Sequence, residues 1–168
     1  ASRFKLRWFT PQNEVPLCGH ATLATAAAIF GECGNLSEEL EFDTRTGLLK
    51  ASRGPDDMIL LDLPARTTMP ADRDKYGKLV EAVVGHLPVR ELRYSVDERK
   101  LLVRLDDHCT RAMLERFSPS PAQMLQLESS GHIKGVTVTL KGDGGRYDFM
   151  SRHFAPWYGI PEDPVTGK

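Results

Sequence analysis

Apolar and polar side chains alternate from Phe4 to Thr10, a period of two that predicts a half-buried strand ended by Pro11. Residues 11–18 carry Pro11, Asn13 and Pro16 and read as a loop. His20 to Phe30 is built from strong helix formers with almost no charge, so a helix buried on nearly every side is expected, ended by Gly31 and Gly34. Leu40–Phe42 and Leu48–Ala51 flank Thr44–Gly47 as a hairpin, and Met58–Leu63 is a strand closed by Pro64. Residues 65–73 read as a linker. Lys75–Leu87 repeats apolar residues at helical spacing through Leu79, Val80, Val83 and Val84. Leu92–Tyr94 and Leu101–Leu105 pair around Val96–Arg99, Thr110–Phe117 is a short helix, and Pro121 starts another. Val136–Leu140 pairs with Tyr147–His153 across Gly142–Gly145, and a second Pro/Gly-rich loop runs to Lys168. Strands and helices do not alternate strictly, so the class is α+β. No Gly-x-Gly-x-x-Gly follows a strand, which removes the support for a dinucleotide fold.

Composition narrows the function classes. A net charge of -1 gives no global field for nucleic acid or an anionic membrane. The basic residues of Arg111–Arg116 read as a solvated helix face. No apolar run approaches a bilayer-spanning length, and the N-terminal residues show no signal-peptide pattern. Cys18, Cys33 and Cys109 cannot close a disulfide set, which points to a reducing, cytoplasmic setting. Cys33 and Cys109 read as small core or boundary residues. No Cys/His spacing fits zinc: His86, His108, His132 and His153 each stand alone and read as structural, so no metal is expected.

A repeat carries the chemistry. Phe9-Thr-Pro11 leads to Glu14-Val-Pro-Leu-Cys-Gly-His20, and Phe154-Ala-Pro156 leads to Glu162-Asp-Pro-Val-Thr-Gly-Lys168. The second connecting loop, Trp157–Pro161 against Gln12–Asn13, is longer by three residues. Duplication of a strand–loop–helix unit accounts for the match. Each copy sends a glycine turn toward a helix N-terminus, whose unpaired N–H groups and positive dipole end suit a carboxylate. The same donors stabilise negative charge that develops when a proton is removed beside that carboxylate.

The segments Arg7-Trp-Phe-Thr-Pro11, Glu14-Val-Pro-Leu-Cys-Gly-His-Ala-Thr-Leu-Ala24 and Phe154-Ala-Pro156 with Glu162-Asp-Pro-Val-Thr-Gly167 resemble the two signatures of the PhzF family. Lys100–Asp106 resembles the animal phenazine biosynthesis-like domain proteins. The resemblance implies a diaminopimelate-epimerase-like duplicated fold, a sheet or partial barrel around a central helix in each lobe. It assigns residues 1–64 to the first lobe, with its central helix at about 20–30, and residues 65–168 to the start of the second. It also implies a cleft between the lobes and a chain truncated at both ends, with both lobes incomplete.

The implied activity is a cofactor-independent isomerase that shifts a proton, and with it a double bond, in a small amino-acid-like carboxylate. His20 and Asp163 match the family's catalytic positions, and Gly19, Ala21 and Gly167 match those that bind substrate through backbone donors. Histidine suits proton transfer near neutral pH. The family's principal glutamate lies in an Asn-Leu-Ser-Glu-like segment upstream of the first signature. Asn35-Leu-Ser-Glu38 follows the helix instead, so that role is not transferred and Ser37 reads as a turn or cap residue. Cys18 occupies the place of the epimerases' thiol, but Thr166 stands at the second such place, against a two-thiol racemase. Thr166-Gly-Lys168 fails the phosphate-loop spacing, because Glu162 stands where the first glycine is needed. The resemblance makes a homodimer an expectation. The alternative reading is a non-catalytic binding or scaffold module with a vestigial cleft and a protein partner, favoured by the missing glutamate.

Overall fold

The computed structural model describes residues 1–166, which form two compact units, Ala1–Ala65 and Arg66–Thr166. The first contains β1 (Arg3–Lys5), β2 (Trp8–Phe9), β3 (Glu14–Val15), α1 (Gly19–Phe30), β4 (Glu39–Thr44), β5 (Gly47–Arg53) and β6 (Ile59–Asp62). Four strands make a sheet in the order β1-β4-β5-β6, with β1 parallel to β4 and the others antiparallel. The strand expected over Phe4–Thr10 is in fact two. The Leu6 N–H makes a last ladder bond to Asp43 O at 2.9 Å, after which the chain leaves the sheet. Thr10 then turns it back: its hydroxyl accepts the N–H groups of Gln12 and Asn13. Trp8 and Phe9 therefore pair with Val15 and Glu14 in a separate ribbon.

Inward positions on β4 and β5 supply Leu40, Phe42, Leu49 and Ala51, which form one core with Trp8, Ala26 and Phe30. Helix α1 buries Thr22, Ala26 and Phe30, spaced four apart on one face. Leu23, Ala24, Ala27 and Ala28 are exposed, so α1 is not buried on nearly every side as its composition suggested. The open sheet covers only one side of it, and the alanines serve helix propensity rather than burial. The buried Thr22 hydroxyl is satisfied by Cys18 O at 2.7 Å. After the helix, Asn35 Oδ1 accepts the Ser37 N–H, so Ser37 sits in an Asx turn.

The second unit contains β7 (Met69–Pro70), α2 (Arg73–Val84), β8 (Val89–Ser95), β9 (Lys100–Leu105), α3 (Arg111–Arg116), α4 (Pro121–Leu127), β10 (Gly135–Lys141) and β11 (Phe149–Phe154). Its sheet runs β11-β10-β9-β8-β7, and only the β9–β10 pair is parallel. A parallel pair needs a long crossover, which α3 and α4 provide. Alternating Leu101, Val103 and Leu105 of β9 and Val136, Val138 and Leu140 of β10 share a core with Leu79, Val83, Leu114 and Met124 from the helices. Neither sheet closes into a barrel among the described residues.

The expected linker at 65–73 holds a strand. Met69 and Pro70 pair with Tyr94 and Arg93 at the sheet edge, where proline is tolerated. The Arg93 guanidinium fixes this strand by donating to Thr68 Oγ1 and Thr68 O, both at 2.7 Å. Helix α2 starts two residues earlier than its periodicity indicated, because Asp72 caps the N–H groups of Asp74 and Lys75. It stops at Gly85, whose φ of 63° suits glycine. Tyr147 and Asp148 precede β11 rather than opening it. Cys109 is buried but Cys33 is exposed, which removes Cys33 from the core. His86 and His108 face solvent, whereas His153 is buried and hydrogen-bonds Thr137 Oγ1. No helix among the described residues is long and apolar enough to cross a membrane.

Candidate functional site

The first signature enters α1 through Cys18, whose extended backbone makes it the N-cap, yet no side chain caps the helix. The other three α-helices of the described residues are capped by Asp72, Thr110 and Ser120. The first-turn N–H groups of Gly19, His20 and Ala21 are thus left without a capping oxygen at the positive end of the helix. Gly19 is buried, and His20 and Ala21 are half-buried. The His20 ring lies beside the Cys18 thiol, with Nε2 at 3.5 Å and Nδ1 at 3.8 Å from Sγ. Three of the residues expected at the site, Gly19, His20 and Ala21, therefore stand together on one helical turn.

The approach to that turn is braced by Glu14. Arg7 grips its carboxylate with two parallel bonds, Nε to Oε1 and Nη2 to Oε2, both 2.9 Å. Arg45, at the tip of the β4–β5 hairpin, adds a bond to Oε2 at 3.0 Å, and the neighbouring Thr46 hydroxyl donates to Pro16 O at 3.2 Å. The Arg7 hydrogen bond, with Arg45 and the charge of Arg7 adding, holds the Glu14 carboxyl at about 2 against an ordinary 4.5. A lowered folded-state pKa means that the ion pair stabilises the fold above the unfolded value and is lost as pH falls through the folded one. The acid side of the stability curve between about 4.5 and about 2 should therefore flatten in Glu14→Gln, as read by thermal melts at stepped pH.

The second signature has the same brace. Arg152 grips Glu162 with Nε to Oε1 at 2.7 Å and Nη2 to Oε2 at 2.8 Å, the same pairing of atoms as in Arg7–Glu14. Each arginine also lies 5.0 Å from the ring of the phenylalanine two residues on, Phe9 or Phe154. Asp163 follows Glu162 directly. Its N–H donates to His153 O at 2.8 Å, its Oδ1 accepts the Val165 N–H at 3.2 Å, and its carbonyl accepts the Thr166 hydroxyl at 3.2 Å. Asp163 is thus a half-buried residue of a tight turn. Gly167, expected as the matching backbone donor, lies outside the described residues.

The repeat counted from phenylalanine onward leaves these two arginines outside it. Their signal is present: an arginine stands two residues before the phenylalanine in both copies, and the glutamate opens both second halves. Among the described residues, no group of three or more His, Cys, Asp or Glu is placed to hold a metal ion.

The uncapped helix start, the Glu-x-Pro turn that feeds it and the mixed α+β architecture of several sheets define a class. The sequence profile of the phenazine biosynthesis-like proteins, PhzC-PhzF, matches residues 1–168, and the chain belongs to that family. It is 49% identical over 171 residues to the phenazine biosynthesis-like domain-containing protein of Bos taurus, covering 99% of this chain and 59% of that protein. An uncharacterized isomerase of Pseudomonas aeruginosa is 40% identical over 164 residues, covering 98% of this chain and 57% of that one. The crystal structure of a PhzF-family phenazine biosynthesis protein from Enterococcus faecalis superposes with a TM-score of 0.73 at 33% identity, over 99% of this chain and 58% of that one. The chain thus spans a little under three-fifths of the length of these relatives.

Proposed function

We propose that this chain contributes to a PhzF-type, cofactor-independent isomerase acting on a small, amino-acid-like carboxylate. The observation that carries the reading is the uncapped start of α1, where Gly19, His20 and Ala21 bring backbone donors and an imidazole onto one turn. A substrate carboxylate takes the N–H groups that no side chain has claimed. The same donors then stabilise charge on the substrate as its proton is removed. His20 moves the proton, because imidazole exchanges one readily near neutral pH. Asp163 assists as the acid of the second signature, and Gly167 offers the substrate a backbone donor.

Two further points support the reading. A Pseudomonas aeruginosa relative is named an isomerase. The matching Arg–Glu braces support descent of the two signatures from one duplicated unit, as in the diaminopimelate-epimerase-like fold. A cytoplasmic location and a homodimer fit this picture as further proposals.

The test is solvent-deuterium incorporation into a panel of unsaturated amino-acid-like acids, read by mass spectrometry without added metal or cofactor. Incorporation should fall by a factor of about 100 or more in His20→Ala, and by less in Asp163→Asn. No incorporation by folded protein across the panel would exclude the isomerase. Undiminished incorporation in His20→Ala would exclude the role of His20.

A further inference from the structure

We propose that Glu14 and Glu162 are positioning residues, each clamped by the arginine two residues before the signature phenylalanine, so that its carboxylate fixes the signature turn carrying His20 or Asp163. This rests on the reading of those turns as the reactive ones. The two clamps are built alike, Nε to Oε1 and Nη2 to Oε2, at 2.9 and 2.9 Å in one and 2.7 and 2.8 Å in the other. They persist although the loop between proline and glutamate differs by three residues, two in Gln12–Asn13 and five in Trp157–Pro161. A contact kept across a change of loop length serves the residues that follow it, not the loop.

The glutamates are occupied as acceptors and do not move protons. The Glu14 side chain is only 16% exposed although Arg7 is 62% and Arg45 68% exposed, so the cations enclose the acid from outside. Between Glu14 and the N-cap Cys18, the segment is anchored by the bond from Thr46 to Pro16 O. Releasing the acid frees the path into α1. In the second copy the acid is adjacent to Asp163, whose N–H is already tied to His153 O, so the fork and this bond together hold the turn. A bidentate fork fixes orientation as well as distance, which a point charge does not.

The test uses the labelled chain and nitrogen-15 relaxation. Glu14→Gln keeps the side-chain shape but removes the charge. Order parameters of residues 15–21 should fall from about 0.85 to below about 0.6, and the His20 ring carbon resonance should shift. Leu40 and Phe42 should stay rigid. Glu162→Gln should loosen residues 161–166 in the same way and leave residues 15–21 unchanged. If Glu14→Gln fails to fold, Arg7→Gln, altered at an exposed side chain, provides the same reading. Unchanged order at residues 15–21, or a loss spread equally into Leu40 and Phe42, would overturn the proposal. Neither readout needs turnover, so an inactive wild-type protein would defeat the isomerase reading and leave this result standing.

Discussion

Replacing Arg152 by alanine should lower the unfolding free energy by about 3 kcal/mol, the range for breaking a largely buried, hydrogen-bonded charge. The side chain is 19% exposed and serves three structures at once. Its fork holds Glu162, its Nη1 donates to Leu114 O at 2.9 Å and Phe117 O at 2.6 Å, and its plane lies against the rings of Phe117 and Phe154. Those carbonyls belong to the last turn of α3 and the residue after it, where helical partners run out. Alanine leaves Glu162 without its fork and both carbonyls without this donor. Lysine should restore less than half of the loss, because an ammonium cannot form the fork or stack as a plane. Urea titration gives the value. Arg111→Ala is the control: it breaks an i,i+4 pair with side chains 71% and 57% exposed and should cost no more than about 0.5 kcal/mol. A loss below about 1 kcal/mol for Arg152→Ala would show that the brace is not a structural keystone.

The second large effect belongs to the platform under α1. Phe42→Ala should cost about 3–5 kcal/mol, the range for emptying a phenylalanine site in a close-packed core. Phe42 is fully buried at the centre of β4, opposite Leu49 on β5, with the Phe4 ring centroid at 6.2 Å. Its core neighbours include Ala26 and Phe30, which seat α1 on the sheet. Open sheet and single-sided packing leave few atoms to collapse into the hole. Fluorescence of the buried Trp8 reads the loss in this unit. Phe42→Leu should recover most of the stability, and a cost below about 1 kcal/mol for alanine would mean that the site repacks.

Much of this fold was readable because local signals and burial agree. The alternation in Leu101–Leu105 and Val136–Leu140 gave strands that the core confirms at the same residues. Asp72 and Gly85 bound α2, although periodicity placed its start two residues late and carried its end three residues too far, through Gly85 to Leu87. Where tertiary contacts decide, the pattern misled. Alternation ran through Leu6 and Arg7, but the chain leaves β4 after Leu6, and Trp8 and Phe9 pair with Val15 and Glu14 instead. Alanine-rich sequence suggested a surrounded helix, but the neighbouring sheet is open and buries one face. Proline at position 70 suggested a linker, but an edge strand accepts it.

At the candidate site the glycine turn and His20 were legible as residues. The missing cap on α1 and the enclosure of Glu14 by two arginines were not, since both depend on contacts distant in sequence, such as Arg45 with Glu14.

The central claim is that the start of α1 receives a carboxylate, and nitrogen-15 shift titration tests it most directly. Adding a small amino-acid-like carboxylate should move the amides of Gly19, His20 and Ala21 saturably, while the matching uncharged carboxamide should leave them in place. No saturable change at these three amides, or equal shifts with the carboxamide, would contradict the account.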